Sequence, residues 1–291
     1  MMECGFVAGG GRWKSGRSGR LWKDKKKAVR KRVAVNAKVA FAFGGGSELG
    51  TAYSSVFKDA GYEVCSIDNF EAPTCDHSLC LPPGAPPRSQ VSFASRMISE
   101  SFKDPRPFDV MFNTTIGFTA EGLGSDELFD SVDFMIHTNV DASLVTAKLA
   151  CQFIKPGGLL FFLGSVAAFA QTHTIGYSIA KAALHQIVRT VALSVGTDLP
   201  EGVRVIGIVP VVLDTTIHRN MNNGKAEPDW TPPSIITSKL LSWAEGDSEV
   251  PENGSLVAVT SADVQINAEK TARQHLFRYI ETPSLIQTRL L

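Results

Sequence analysis

Tyr177 and Lys181 lie four residues apart in a strongly periodic segment that runs to Val195, so they share one face of a helix. An ammonium beside a phenol favours the phenolate and makes the phenol a better proton donor or acceptor near neutral pH. Ser165 stands 12 residues before Tyr177, just after the apolar run Leu159 to Leu163 and Gly164. A hydroxyl there can hydrogen-bond a substrate oxygen or nitrogen while Tyr177 moves the proton.

A second group of residues offers a place for a charged cofactor. Gly44-Gly45-Gly46-Ser47-Glu48-Leu49-Gly50 follows the short apolar run Val39 to Phe43 and opens the next periodic segment. Glycines let a backbone turn sharply and come close to a pyrophosphate, whose charge the amides of a helix N-terminus stabilise. Asp68 comes 18 residues after Gly50, at the end of the next strand. A carboxylate there accepts hydrogen bonds from an adenosine ribose and repels a 2′-phosphate. Neither Asn69 nor the loop carries an Arg or Lys to receive such a phosphate, so the pattern favours NADH, with NADPH the weaker alternative.

The elements that must position these residues alternate. Val39 to Phe43, Glu63 to Ile67, Asp109 to Phe112, Leu159 to Leu163, Val203 to Val209 and Leu256 to Val259 read as strands. Between them lie helical patterns, clearest over Glu48 to Ala60, Leu128 to Ile154 and Tyr177 to Val195. The alternation predicts one doubly wound α/β domain over residues 37–262, a parallel sheet covered on both faces with ligands at the carboxyl ends of its strands. Residues 263–291 read as a C-terminal tail with a short helix over Ala268 to Ile280. The Gly- and Pro-bearing stretch 213–245 reads as a substrate lid.

Composition narrows the rest. The chain has 291 residues, 44% of them hydrophobic, and no net charge. Residues 1–38 nevertheless hold 12 Lys and Arg against Glu3 and Asp24, and the remainder is correspondingly acidic. Residues 1–36 read as a basic, disordered extension: a mitochondrial or nuclear signal, an electrostatic tether, or a segment with no role. An acidic body of this kind is not a nucleic-acid binder. No apolar run reaches the roughly 18 residues of a membrane span. Five irregularly spaced cysteines fit a reduced, intracellular setting. Cys75, Asp76, His77 and Cys80 match no closed metal site, so no metal is expected and the stretch reads as a Pro-flanked surface loop.

Gly44 to Gly50, Asp68, Asn139, Ser165, Tyr177 and Lys181 together resemble the short-chain dehydrogenase/reductase family over residues 38 to about 261. The resemblance implies that Tyr177 is the acid/base, that Lys181 binds the nicotinamide ribose and tunes it, that Ser165 orients substrate and that Asn139 holds a relay water. It implies cofactor contacts at Asn113, Pro210 and Thr215 as well. This chain departs from the family pattern at Glu48, where the middle loop glycine belongs, at Ile116 in Asn113-Thr-Thr-Ile116, and at Val211 after Pro210.

The second half is more specific. Gly176 to Gln186, Val209-Pro210-Val211-Val212-Leu213-Asp214-Thr215 and Trp230-Thr231-Pro232 resemble one branch of that family, the dihydropteridine reductases. That branch uses NADH to return quinonoid dihydrobiopterin to the tetrahydro form, as a cytosolic homodimer joined through helices. The resemblance implies a pterin substrate, with Gly117-Phe118 supplying an aromatic wall and Trp230 near the site. Animal members of the branch have Ala at the serine position and lack the Asn. Ser165 and Asn139 therefore keep open a short-chain reductase acting on a carbonyl or an oxidised pterin.

Several residues have plainer readings. Asn139 can simply bond a neighbouring carbonyl, Thr215 can be a helix N-cap, and Trp230 can anchor the lid by packing. His185 reads first as a helix-packing or dimer-interface histidine and second as a substrate contact.

Overall fold

The computed structural model describes residues 38–280 except 83, 171, 268 and 269, so the basic segment 1–36 and the last eleven residues lie outside the described residues. Strand β1 (Val39–Phe43) leads through the glycine loop into helix α1 (Glu48–Asp59) and strand β2 (Glu63–Asp68). Then follow β3 (His77–Cys80), α2 (Pro87–Ser101), β4 (Phe108–Asn113) and α3 (Leu128–Met135). A π turn (Ile136–Asp141) joins α3 to α4 (Ala142–Phe153), and β5 (Ile154–Leu163) and α5 (Ile175–Ala192) come next. The remaining elements are β6 (Arg204–Pro210), α6 (Thr216–Met221), α7 (Pro233–Glu245), β7 (Leu256–Asn267) and β8 (Lys270–Tyr279).

These strands form one sheet of eight in the order β3-β2-β1-β4-β5-β6-β7-β8. The first seven pair in parallel, and β8 runs antiparallel to β7. All five residues of β1 are buried, as a parallel strand covered on both faces requires. Alternation sorts them. Ala40 and Ala42 join Tyr53 and Phe57 of α1 and Ile236, Leu240 and Trp243 of α7 in one core. Phe41 faces the other way, 4.9 Å from Phe108, which also meets Phe102 and Phe153 beneath α2 and α4. The chain reverses its direction of travel between β1 and β4, and the crevice at their carboxyl ends is where such sheets take ligands.

Three expectations change. The helix expected over Ala268 to Ile280 is strand β8, and β7 itself runs on to Asn267, so sheet crosses the domain limit expected at 262. A parallel sheet ending at β7 would leave a row of open N–H and C=O groups, and the antiparallel ladder from Val257↔Tyr279 to Asn267↔Lys270 fills it. An isolated helix of that length is marginal by comparison. The stretch expected as a surface loop around Cys75 to Cys80 contains edge strand β3. Its His77 is buried, with Nε2 2.5 Å from Glu63 and the ring 4.8 Å from Phe102. The single helix expected over Leu128 to Ile154 is two helices interrupted by the π turn, and β5 already begins at Ile154.

Phe277 of β8 packs edge-on against Trp243 of α7, with ring centroids 6.0 Å apart. Because Phe277 is only partly covered, Phe277→Ala should cost about 1–2 kcal/mol, less than a fully buried Phe→Ala. Urea unfolding should show a lower midpoint with an unchanged slope.

Candidate active site

At the carboxyl end of β1 the loop is shaped by close approach. Gly44 has φ +95°, and a Cβ on Gly50 would stand 2.3 Å from the Gly44 carbonyl oxygen. Ser47 caps α1, its hydroxyl accepting from the Gly50 amide at 2.9 Å, while Leu49 buries its side chain in the core. Asp68 at the end of β2 accepts from the Gly46 amide at 2.8 Å and the Asn69 amide at 2.6 Å. Its carboxylate thus lies beside the loop and holds the loop's shape. Glu48, where the family has glycine, reaches across to α6: its carboxylate accepts from the Thr216 amide at 2.9 Å and from the Thr216 hydroxyl.

The end of β4 is held by its own side chains. Asn113 is buried, donates to the Ser143 hydroxyl at 3.0 Å, and accepts from Thr115 through both amide and hydroxyl. Its side chain therefore builds the turn that faces the loop. Ser143 donates in turn to the Asn139 carbonyl at 2.6 Å. Asn139 sits in the π turn, an interruption that often marks function. Its Nδ2 donates to the carbonyls of Met135 and Gly117 at 3.1 and 3.2 Å, while its Oδ1 is buried and has no hydrogen-bond partner among the described residues. An orphaned acceptor in that place is one that a water or ligand donor would satisfy.

Ser165, Tyr177 and Lys181 meet at the end of β5. Ser165 is buried beside Tyr177, close enough to lower its phenol, and its Oγ accepts from the Ala167 amide at 3.2 Å. Lys181 is wholly buried, with Nζ 2.8 Å from the Leu163 carbonyl and 5.5 Å from the centre of the Tyr177 ring. Burial pushes its ammonium down to about 7. Burial also raises the Tyr177 phenol, an effect the Ser165 hydroxyl partly offsets. The lysine was expected to lower the phenol, but desolvation is the larger influence in this arrangement.

Aromatic groups close the site from the other side. Phe118, next to Gly117, packs edge-on against Tyr177 at 4.9 Å. His218 of α6 lies 5.9 Å from Phe118 and 6.1 Å from Trp230. Its Nδ1 is 2.8 Å from the hydroxyl of Thr215, the N-cap residue of α6, and burial lowers the imidazole. Trp230 is brought in because Thr231 bridges to Leu213, its amide donating to the Val212 carbonyl at 2.8 Å. Ser165, Tyr177, Pro210, Leu213 and His218 line a cavity of ≈ 20 Å³. A larger one of ≈ 410 Å³ opens at the opposite end of the sheet, away from these groups. The stretch 213–245 expected as a lid includes α7, which is core: Ile236, Leu240 and Trp243 are buried.

The sequence reading thus brings together Ser165, Tyr177, Lys181 and Phe118, with Thr215 and Trp230 joined to them through His218. It missed His218, which only the Thr215 cap interaction could have flagged, and the bond from Glu48 to Thr216, which joins residues 168 apart.

A family profile described as enoyl-(acyl carrier protein) reductase matches residues 89–240. The chain belongs to the short-chain dehydrogenase/reductase family and is an oxidoreductase. It is 32% identical over 222 residues to the dihydropteridine reductase of Dictyostelium discoideum, covering 76% of this chain and 94% of that protein. Its fold is similar to a Brucella melitensis 3-ketoacyl-(acyl-carrier-protein) reductase complexed with NADH, at TM-score 0.62 and 17% identity over 78% of this chain and 98% of that one. A Burkholderia cenocepacia J2315 short chain dehydrogenase in complex with NADP gives TM-score 0.60 and 21% identity over 76% and 95%.

His185 also belongs to this end of the sheet, its Nε2 3.2 Å from the Ser165 amide. Burial above all, then Lys181 and Arg189, pushes it down from 6.5 to about 3. An unfolded histidine binds a proton below 6.5 that the folded one refuses, so stability is lost as pH falls from 6.5 toward 3. In His185→Gln the fall in melting temperature over that range should be shallower than in the wild type.

Proposed function

We propose that this oxidoreductase uses NADH to reduce a quinonoid dihydropterin to its tetrahydro form. The observation that carries the reading is the aromatic series that leads from Tyr177 through Phe118 and His218 to Trp230, a setting for a flat, polar heterocycle beside a proton donor. The likeness to a dihydropteridine reductase supports it.

The residues present fit a dinucleotide. The glycine loop exposes Gly46 at the N-terminus of α1, Asp68 stands beside it for the adenosine ribose, and Pro210 lines the cavity at Tyr177, with Thr215 and Lys181 beside His218 and Tyr177 for the nicotinamide end. Bound there, the nicotinamide supplies the hydride. Tyr177 delivers the proton to a ring nitrogen, Ser165 fixes that nitrogen's position, and Lys181 supplies positive charge that favours the phenolate left behind. Asn139 holds, through its free Oδ1, a water that returns a proton to the phenol. Phe118 and Trp230 flank the heterocycle and exclude water.

The reading carries a cytosolic homodimer, with neither nucleic acid nor membrane as partner. Among the described residues no helix is long and apolar enough to cross a membrane. Phe134 and Leu144 on α3 and α4 and Ile179 on α5 are exposed, and they offer an apolar face to a second copy. A second reading, reduction of a carbonyl or an oxidised pterin, is favoured by one observation: the Ser165 hydroxyl and the Tyr177 phenol line one cavity, a pair that suits a polarised C=O.

NADH oxidation by the purified protein, with quinonoid dihydrobiopterin generated in situ beside NADPH and a panel of simple ketones, decides between the two. Rapid turnover of the pterin alone supports the first; turnover of ketones alone moves the substrate to the second. Tyr177→Phe should lower kcat by at least about 100-fold with little change in NADH affinity, as loss of a general acid does. Retained activity removes Tyr177 from the role. Asp68→Asn removes the charge and keeps one acceptor oxygen for the Gly46 amide, so the kcat/KM ratio of NADPH to NADH should rise about tenfold or more, by relief of like-charge repulsion. An unchanged ratio refutes the assignment.

A further inference from the structure

Tyr177, Lys181 and His185 stand at successive turns of α5 and all engage the carboxyl end of β5. Tyr177 meets the Ser165 hydroxyl, Lys181 takes the Leu163 carbonyl at 2.8 Å, and His185 Nε2 lies 3.2 Å from the Ser165 amide nitrogen. A backbone N–H only donates, so Nε2 accepts, and the proton of the neutral ring sits on Nδ1. That Nδ1 is buried and has no hydrogen-bond partner among the described residues. The ring therefore leaves one donor unmade while it satisfies Ser165.

Its neighbours leave the ring no other place. A Cβ on Gly164 would stand 2.4 Å from Nε2, so glycine is what lets the imidazole approach the strand. On its other side Phe169 packs at 4.8 Å with an interplanar angle of 32°. His185 does not line the cavity beside Ser165 and Tyr177, and its Nε2 faces the Ser165 amide. Ser165 itself has left the sheet: the last amide in the ladder is Gly164, bonded to the Ile208 carbonyl at 2.7 Å. With Ser165 N–H bound by imidazole and its Oγ capping the turn Val166–Ala168, both ends of the residue are fixed.

We propose that His185 is a positioning residue for the reaction: by accepting the Ser165 amide it holds the Ser165 hydroxyl on the Tyr177 phenol and toward the substrate. The proposal rests on the roles given above to Ser165 and Tyr177, and not on the substrate being a pterin.

The test is a double-mutant cycle in the full chain, His185→Leu against Ser165→Ala, with His185→Gln as the conservative variant whose amide oxygen can reach the Nε2 position. NADH oxidation with quinonoid dihydropterin gives kcat and KM, and fluorescence titration gives NADH affinity. Leaving a buried N–H unmade and a hydroxyl misplaced should lower kcat of His185→Leu about tenfold with NADH affinity within about twofold. His185→Gln should recover to within about threefold. In the Ser165→Ala background His185→Leu should cost less than about twofold more, since residues acting through one another are not additive. Equal losses in both backgrounds, an unchanged kcat, or a folded His185→Gln that does not recover each overturns the proposal. If His185→Leu does not fold, His185→Asn, too short to reach the Ser165 amide, replaces it. Hydrogen exchange at the Ser165 amide needs no turnover: protection kept with Gln and lost with Leu or Asn supports the contact, and protection kept in all overturns it. Failure of the wild type to reduce the pterin overturns the pterin reading alone, and the cycle is then read on the ketone panel.

Discussion

The Nζ of Lys181, wholly buried, is held 2.8 Å from the carbonyl oxygen of Leu163, the last residue of β5. Burying an ammonium costs several kcal/mol and one neutral carbonyl offsets only part of that, which is why the group is driven down to about 7. The contact fixes α5 against the end of β5. Everything placed by α5 then follows: Tyr177 one turn before, over the Ser165 hydroxyl, and His185 one turn after, under the Ser165 amide. The same helix buries Ala180, Leu184 and Val188, apolar contacts that act with the Lys181 contact to hold it against the sheet.

A second polar chain starts at β4 and passes from Asn113 through Ser143 to the Asn139 carbonyl, where α3 gives way to the π turn. Widening the helix there turns the Asn139 side chain toward the Gly117 carbonyl. Gly117 is as constrained as the turn it faces, since a Cβ would stand 1.9 Å from the Thr138 hydroxyl. Phe118 follows directly and so lands on Tyr177. The two polar chains come from different strands, and the contact of Phe118 with the Tyr177 ring joins them.

Hydrophobic period made the sheet legible: the apolar runs at β1, β5 and β6 and the periodic stretch of α5 are buried strands and an amphipathic helix, with ends displaced by only a few residues. The Gly loop, Asp68, Ser165 and Tyr177 were legible because they sit at the ends of such elements. What failed depended on distant partners. Lys270 to Tyr279 has no local reason to be strand; the open edge of β7 makes it one. The π turn at Ile136 to Asp141 leaves no mark in a period of 3.6, because one wider turn shifts the apolar face without ending it. His218 and the contact of Glu48 with Thr216 were invisible because α6 reaches them only after β6 has crossed the sheet.

Glu48 is the departure from family pattern that the structure explains best. The loop accepts a side chain there because the carboxylate points out of the crevice to the N-terminus of α6, where a helix end favours negative charge. Segment 214–231 is then tied at two places, by Glu48 at Thr216 and by the pairing of Leu213 with Thr231, while the bidentate pair of Asp214 with Arg219 stiffens it within. With both ties made, the space beside Ser165 and Tyr177 is ≈ 20 Å³, about what one water fills and far less than any bicyclic ring. Residues 216–230 are mostly exposed and carry no core, whereas Leu213 and Thr231 are buried. The segment between those two residues is therefore held to the body by few contacts, the exposed one at Glu48 among them.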